Sequence, residues 1–415
     1  MTTTRIVIVG GGVIGLCSAY YALKRGFAVT VVERGEAGGD CCSLGNAGLV
    51  VPSHFIPLAA PGIVAKGLRI MLDPESPFFI RPRLDLGLLQ WGWRFFRSAN
   101  ARNVAASREL LRDLHLESRR LFIELAAEDD FGLVQRGMLC LCKSQHGLDE
   151  ESEVAAKATE IGLKTEVLDA SATAAREPNL TMDVVGSVYY AQDCHLNPMR
   201  FVAAMHQRVL AMGGVIEHGV SIDTIHATRG TVNAVAGAGR RFEGDRFVIA
   251  TGSWSAQLLE TVGVRLLLQA GKGYSLTLPA PPELPQHCAV LAEAKVAVTP
   301  MGTSLRFAGT MEVAGLDHSI NAQRVRGIMK GVEAFLPRFS SRDFADVAPW
   351  AGLRPVSADG VPYLGSVSAL PNMIVATGHS MMGVSLAPVS GRLVADLLSG
   401  DRPFRPIDAM APGRF

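Results

Sequence analysis

Between Arg5 and Glu33 the chain reads strand, glycine turn, helix, strand, and few folds accept that order with this punctuation. Arg5-Ile6-Val7-Ile8-Val9 is a short β-branched run that ends in Gly10-Gly11-Gly12-Val13-Ile14-Gly15. Leu16, Ala19, Tyr20 and Leu23 then recur at helical spacing, which predicts a helix over 13–25 stopped by Gly26. Residues 28–32 form a second apolar strand, closed by Glu33. A bare G-x-G-x-x-G says little, because glycine turns are common. A strand before it, a helix after it and an acid at the end of the next strand make it the βαβ unit that takes the ADP half of a dinucleotide. Gly10 permits the tight turn, Gly12 lets a pyrophosphate approach the backbone, and Gly15 lets helix and strand pack closely. At Val13 and Ile14 the helix N-terminus offers free N–H groups and its dipole to phosphate. Glu33, with Arg34 beside it, is placed to accept hydrogen bonds from ribose hydroxyls.

At 415 residues the chain exceeds what one core usually organises, so two domains are expected. Forty basic and 39 acidic residues leave a net charge of +1 and no basic run, which speaks against a nucleic-acid partner. No apolar stretch is long enough to span a bilayer, and the strand at Arg5 leaves no room for a secretory signal. A cytoplasmic location is therefore expected. The seven cysteines form no Cys-x-x-Cys pair and the ten histidines no ligand spacing, so no metal is expected; the vicinal Cys41-Cys42 reads as incidental.

Beyond Pro52 the periodic signals fade until the apolar, aromatic run at 84–96. Amphipathic helices are predicted over 104–127 and 150–161, short strands at 137–142, 165–168 and 186–191, and a helix over 197–212. A hairpin of strands at 219–226 and 231–236 turns at Arg229-Gly230, and residues 247–252 form another buried strand. An antiparallel sheet is expected over 265–310, a helix over 321–336, a loop from Trp350 to Gly365, a strand at 373–377 and a last helix over 384–399.

Three later segments carry a resemblance. They are Ser43-Leu44-Gly45-Asn46-Ala47-Gly48 with Ala59-Ala60-Pro61-Gly62; Ala250-Thr251-Gly252-Ser253-Trp254-Ser255 with Lys272-Gly273-Tyr274-Ser275; and Trp350-Ala351-Gly352-Leu353-Arg354-Pro355 with Asp359-Gly360-Val361-Pro362, Gly378-His379 and Gly383. Together they resemble, over nearly the whole chain, the FAD-dependent amino-acid oxidoreductases, the family of D-amino-acid oxidase, glycine oxidase and sarcosine oxidase. The Ser43–Pro61 region is most similar to the bacterial D-amino-acid dehydrogenases.

The resemblance implies FAD as the dinucleotide. Ser43, Asn46, Ala47 and Gly48 would meet the flavin and its phosphates, and Val220 would bind adenine through its backbone. Ala250, Thr251, Gly252 and Trp254 would line the same groove. Gly378, Gly383 and Val384 would lead a helix N-terminus to the flavin ring, where its N–H groups stabilise negative charge. Arg354 would clamp the substrate carboxylate, a task that suits a planar guanidinium; the alternative is a structural ion pair with Asp346 or Asp359. Tyr274 would donate to the same carboxylate or else pack in the core, and His54 and His379 would flank the substrate or serve only as bonded core histidines. Where the oxidase branch carries a carboxylate-binding tyrosine this chain has Ala297, so the pocket is not that of a glycine oxidase. Residues 345–365 hold no cysteine, so the flavin is expected to be non-covalent.

The expected fold is α/β: a Rossmann-like FAD domain (1–60, 194–256 and 345–415) and an antiparallel-sheet substrate domain (61–193 and 257–344), on a discontinuous chain path. The implied reaction is oxidative deamination of D-amino acids, small apolar ones or cyclic imino acids such as D-proline or hydroxyproline. Electrons would pass to a quinone-type acceptor, with a peripheral contact at the cytoplasmic face of the inner membrane open to residues 84–96. The alternatives are an oxygen-reducing oxidase and a non-catalytic FAD-binding subunit of a larger complex.

Overall fold

The structure, a computed structural model, describes residues 3–36, 39, 41–71 and 73–415. Among them, six strands form a sheet in the order Tyr363–Val367, Leu370–Thr377, Arg246–Ile249, Arg5–Val9, Ala28–Val32, Val215–Glu217. All run parallel except Tyr363–Val367 at one edge. Side chains alternate across a strand, so Ile6 and Ile8 enter one core while Val7 and Val9 enter another. The first core is closed by the helices Val13–Lys24, Pro198–Ala211 and Ala387–Ser399. The second is covered by a small antiparallel sheet, Thr224–Thr228, Thr231–Gly237 and Arg240–Glu243. Both faces of the parallel sheet are therefore buried, which is why its strands read as continuous apolar runs.

A nine-stranded sheet stands beside it. Its order is Trp350–Ser357, Leu268–Leu278, Ser304–Val313, Val296–Met301, Cys288–Leu291, Met138–Cys142, Gly186–Tyr190, Thr165–Asp169, with Phe78–Ile80 also paired to Ser304–Val313. The helix Ala322–Phe335 sets Val325, Ile328, Val332 and Phe335 against one face, at helical spacing.

Several expectations need correction. The loop expected from Trp350 is a strand, paired through eight residues to Leu268–Leu278. Pro355 is tolerated there because the strand lies at the sheet edge. The chain thus rejoins the parallel sheet at Tyr363, later than the boundary expected at 345. The helix Ala101–Ala126, expected within the substrate domain, places Leu110, Leu114, Leu121 and Phe122 in the core of the parallel sheet. Val220 lies between strands, and the last helix begins at Ala387 after a 3-10 turn at Ser380–Met382. The run at 84–96 is a helix, Leu86–Ser98, anchored by buried Leu88 and by Trp91, whose indole donates to the Val356 carbonyl at 3.0 Å.

Candidate active site

A cavity of about 390 Å³ runs along the ends of the Arg5–Val9 and Arg246–Ile249 strands and continues under the strand Trp350–Ser357. Gly10, Gly12, Val13, Ile14, Glu33 and Arg34 line one end. The three motif glycines have different reasons to be there. Gly10 has φ +107°, and a Cβ on it would lie 2.5 Å from the Ala250 carbonyl oxygen; one on Gly15 would lie 1.8 Å from the Gly10 oxygen. The backbone itself demands both. At Gly12 the nearest atom to such a Cβ is Ser43 Oγ, at 3.8 Å, so the protein leaves that side open to the cavity. A phosphate group is what the empty side admits.

Glu33 is pinned over the turn. Its carboxylate accepts from the Gly11 N–H at 2.5 Å and the Gly35 N–H at 2.8 Å, which leaves lone pairs on both oxygens for hydroxyl donors. The Val220 N–H donates to the Glu33 carbonyl at 3.0 Å, so of its backbone only the carbonyl remains for adenine. Val220, Ala250, Thr251, Gly252 and Trp254 all line the cavity. The Arg34 guanidinium lies 3.4 Å over the Trp254 ring, and His318 stacks on the same indole at 5.8 Å. His318 also lines the cavity and was not foreseen: an exposed loop histidine carries no sequence signal.

Ser43 and Asn46 line the middle of the cavity, whereas Ala47 and Gly48 do not. Gly48 packs instead against Leu196, whose N–H donates to its carbonyl at 2.8 Å. The loop is held by Arg306, which donates to the Leu44 carbonyl at 2.8 Å and the Asn46 carbonyl at 2.7 Å. Burial pulls its guanidinium down to about 10, still cationic at neutral pH. A lone arginine within Leu305-Arg306-Phe307 was the available sign of it. Gly383 and Val384 line the cavity, in the turn before the last helix; Gly15 and Gly378 do not, and a Cβ on Gly378 would lie 2.8 Å from the Tyr363 ring.

At the far end stands Arg354, within the cavity wall. Desolvation lowers its pKa, and among the described residues no carboxylate forms an ion pair with it. Asp359, one expected alternative partner, is taken by Arg414 at 2.8 and 2.9 Å. Tyr274 lines the cavity but packs in the core, the second of the two places expected for it. Its hydroxyl donates to Glu312 Oε2 at 2.7 Å, and it is Gly273, on the other face of the strand, that underlies the Arg354 guanidinium. His379 lines the cavity with Nε2 bonded to Ser390 Oγ at 2.9 Å, and burial drops its pKa to about 3. His54 does not line it: its Nδ1 meets Ser53 Oγ at 3.1 Å, and burial lowers it to about 4.

The family model described as DAO, FAD dependent oxidoreductase, matches residues 5–397. The chain belongs to that family. Its curated relatives include the D-amino acid dehydrogenases of Allorhizobium ampelinum, 31% identical over 95% of each chain, and of Methylobacterium radiotolerans, 33% identical over 99% of each. Among solved structures, glycine oxidase from Geobacillus kaustophilus shares the fold with a TM-score of 0.80 at 23% identity, over all of both chains. L-proline dehydrogenase from P. horikoshii does so with a TM-score of 0.75 at 16% identity, over 100% of this chain and 98% of that one. The cofactor of this oxidoreductase is accordingly FAD. The open side of Gly12, the acid over the turn and the length of the cavity fit an extended dinucleotide.

Proposed function

We propose that the protein oxidises D-amino acids, with small apolar side chains or cyclic imino groups, to imino or 2-oxo acids, and passes the electrons to a quinone-type acceptor. The observation that carries this reading is Arg354: a half-buried, desolvated guanidinium, without a carboxylate partner among the described residues, in the wall of the cavity that begins at the dinucleotide turn. A desolvated cation in that state suits an anionic ligand, and a bidentate hold on a carboxylate fixes where the adjacent Cα–H bond points. When bound, FAD supplies the hydride acceptor, N5. Arg354 orients the substrate carboxylate. The substrate amine must be neutral so that its lone pair forms the C=N bond as hydride leaves Cα; water then yields the 2-oxo acid and ammonia. His379 and His54 are neutral at pH 7, so neither adds a positive charge that would oppose loss of hydride.

The D-preference and the dehydrogenase acceptor are supported by the curated relatives' names. The peripheral membrane contact is supported by the helix Leu86–Ser98, where Leu86, Leu89, Trp93 and Phe96 are exposed along one stripe. Arg81 and Arg97 are exposed near it in the chain, a composition that suits an anionic lipid surface.

An anaerobic bleaching screen with paired D- and L-amino acids tests the assignment. D-forms should reduce the flavin faster, acid should release free FAD, and a quinone should reoxidise the enzyme much faster than oxygen does. Faster reduction by L-forms, or rapid stoichiometric peroxide in air, would falsify the corresponding part. Arg354→Ala should keep FAD and lose kcat/KM for every substrate, by roughly 2–4 kcal/mol of transition-state binding.

A further inference from the structure

Arg354 does not hold its position by rotamer preference alone. Its side chain leaves the edge strand Trp350–Ser357 and crosses the neighbouring strand over Gly273. A Cβ on Gly273 would lie 2.0 Å from Arg354 Nη2 and 2.1 Å from Cζ, inside the guanidinium. The group therefore rests on bare backbone. It then reaches the third strand, where Nη1 donates to the Thr310 carbonyl.

That carbonyl is available because the third strand is irregular at this point. Lys272 pairs with Glu312, but Tyr274 pairs with Gly309, so Thr310 and Met311 together oppose the single residue Gly273. This is a β-bulge, and Thr310 within it has φ +69°. A β-branched residue in the left-handed region is a genuine outlier, and such strain persists only where the surroundings over-determine it. Bulge and glycine face each other across one strand pair, and both serve the same guanidinium.

We propose that Gly273 and the bulged Thr310 are positioning residues: a built seat that aims the Arg354 fork into the cavity and so sets carboxylate recognition. One N–H is spent on the Thr310 carbonyl, and the fork lies in the cavity wall. The inference rests on the reading of Arg354 as the carboxylate anchor, and the two are separable by experiment.

The test uses the FAD-loaded enzyme and propionate, a carboxylate with no amine to oxidise, titrated against the visible flavin spectrum, with propionamide as the uncharged control. Gly273→Ala displaces only the mobile end of a side chain, so FAD content and melting temperature should hold while propionate binding weakens at least tenfold. With substrate, KM should rise more than kcat falls. The double variant Gly273→Ala/Arg354→Ala should bind no worse than Arg354→Ala alone, because the glycine acts through the arginine. Thr310→Gly keeps the left-handed backbone without strain, so it should melt higher and hold propionate within twofold of the unaltered enzyme. The seat is overturned if Gly273→Ala binds propionate normally, if the two variants add in full, or if Thr310→Gly loses affinity. Failure of Arg354→Ala to weaken propionate, or no propionate effect on the unaltered holoenzyme, overturns the anchor reading itself.

Discussion

The three glycines of one motif look interchangeable in sequence and are not. Gly10 and Gly15 are required by the backbone around them, Gly12 by the ligand. Gly12→Val should leave the apoprotein's unfolding free energy within about 0.5 kcal/mol, as for a substitution that meets no neighbour, yet abolish FAD retention. Gly15→Ala should destabilise the apoprotein by several-fold more, since its Cβ would fall 1.8 Å from a carbonyl oxygen that cannot retreat. Chemical denaturation of both apoproteins, beside the flavin absorbance of each as purified, separates the two causes. A destabilised Gly12→Val apoprotein would contradict the assignment of that glycine to the ligand. The resemblance placed Arg354 at the substrate end of the site, and the structure sets it in the cavity wall with no carboxylate ion pair among the described residues. Of the two places open to Tyr274, the structure shows it packed in the core at the cavity wall. Tyr274 and Arg354 lie on facing strands, and which face each side chain takes depends on a pairing register that neither stretch reveals alone.

At the level of elements, periodicity found the helices Ala101–Ala126, Pro198–Ala211 and Ala322–Phe335 within a few residues, because long amphipathic repeats state their own period. The strand Trp350–Ser357 was missed since Gly352 and Pro355 punctuate it like a loop; an edge position with one paired side makes both acceptable. The helix Leu86–Ser98 divides by face. Trp91 and Leu88 are buried, while Trp93 is 63% and Leu89 62% exposed, so fewer than half of its large apolar residues serve the core. Glutamate at both exposed positions, Leu89→Glu with Trp93→Glu, should reduce cosedimentation with anionic phospholipid vesicles severalfold and leave dye-coupled turnover intact. Equal cosedimentation of the variant and the parent would remove this face as the contact.

Across the whole molecule, burial sets the pH dependence of stability. His115 and His379 are pulled down to about 3, His54 and His195 to about 4, all by desolvation. Asp193, equally buried, is pushed up to about 7 despite the bonds it accepts from Ser53. The two shifts have opposite signs in the linkage relation. Each histidine binds a proton only on unfolding between its folded pKa and about 6.5, so its contribution is lost as pH falls. Asp193 keeps a proton in the folded state that the unfolded chain has released, so its destabilisation grows as pH rises from about 4 to 7. The histidines prevail, and unfolding at pH 5 should take up roughly three protons net. Stability from denaturant titrations should fall steeply from pH 6.5 to 4.5; a flat profile would mean that these groups are hydrated in solution. Asp193→Asn should stabilise more at pH 7.5 than at pH 4.5. By itself the sequence determined the βαβ unit, because short-range spacing dictates a glycine turn, a helix start and an acid at a strand end; FAD and the family came from the resemblance carried by three later segments. Only the tertiary structure decided what surrounds Arg354. The guanidinium's seat is assembled from residues 273, 310 and 354, far apart in the chain, and depends on a one-residue slip in strand register that local sequence does not encode.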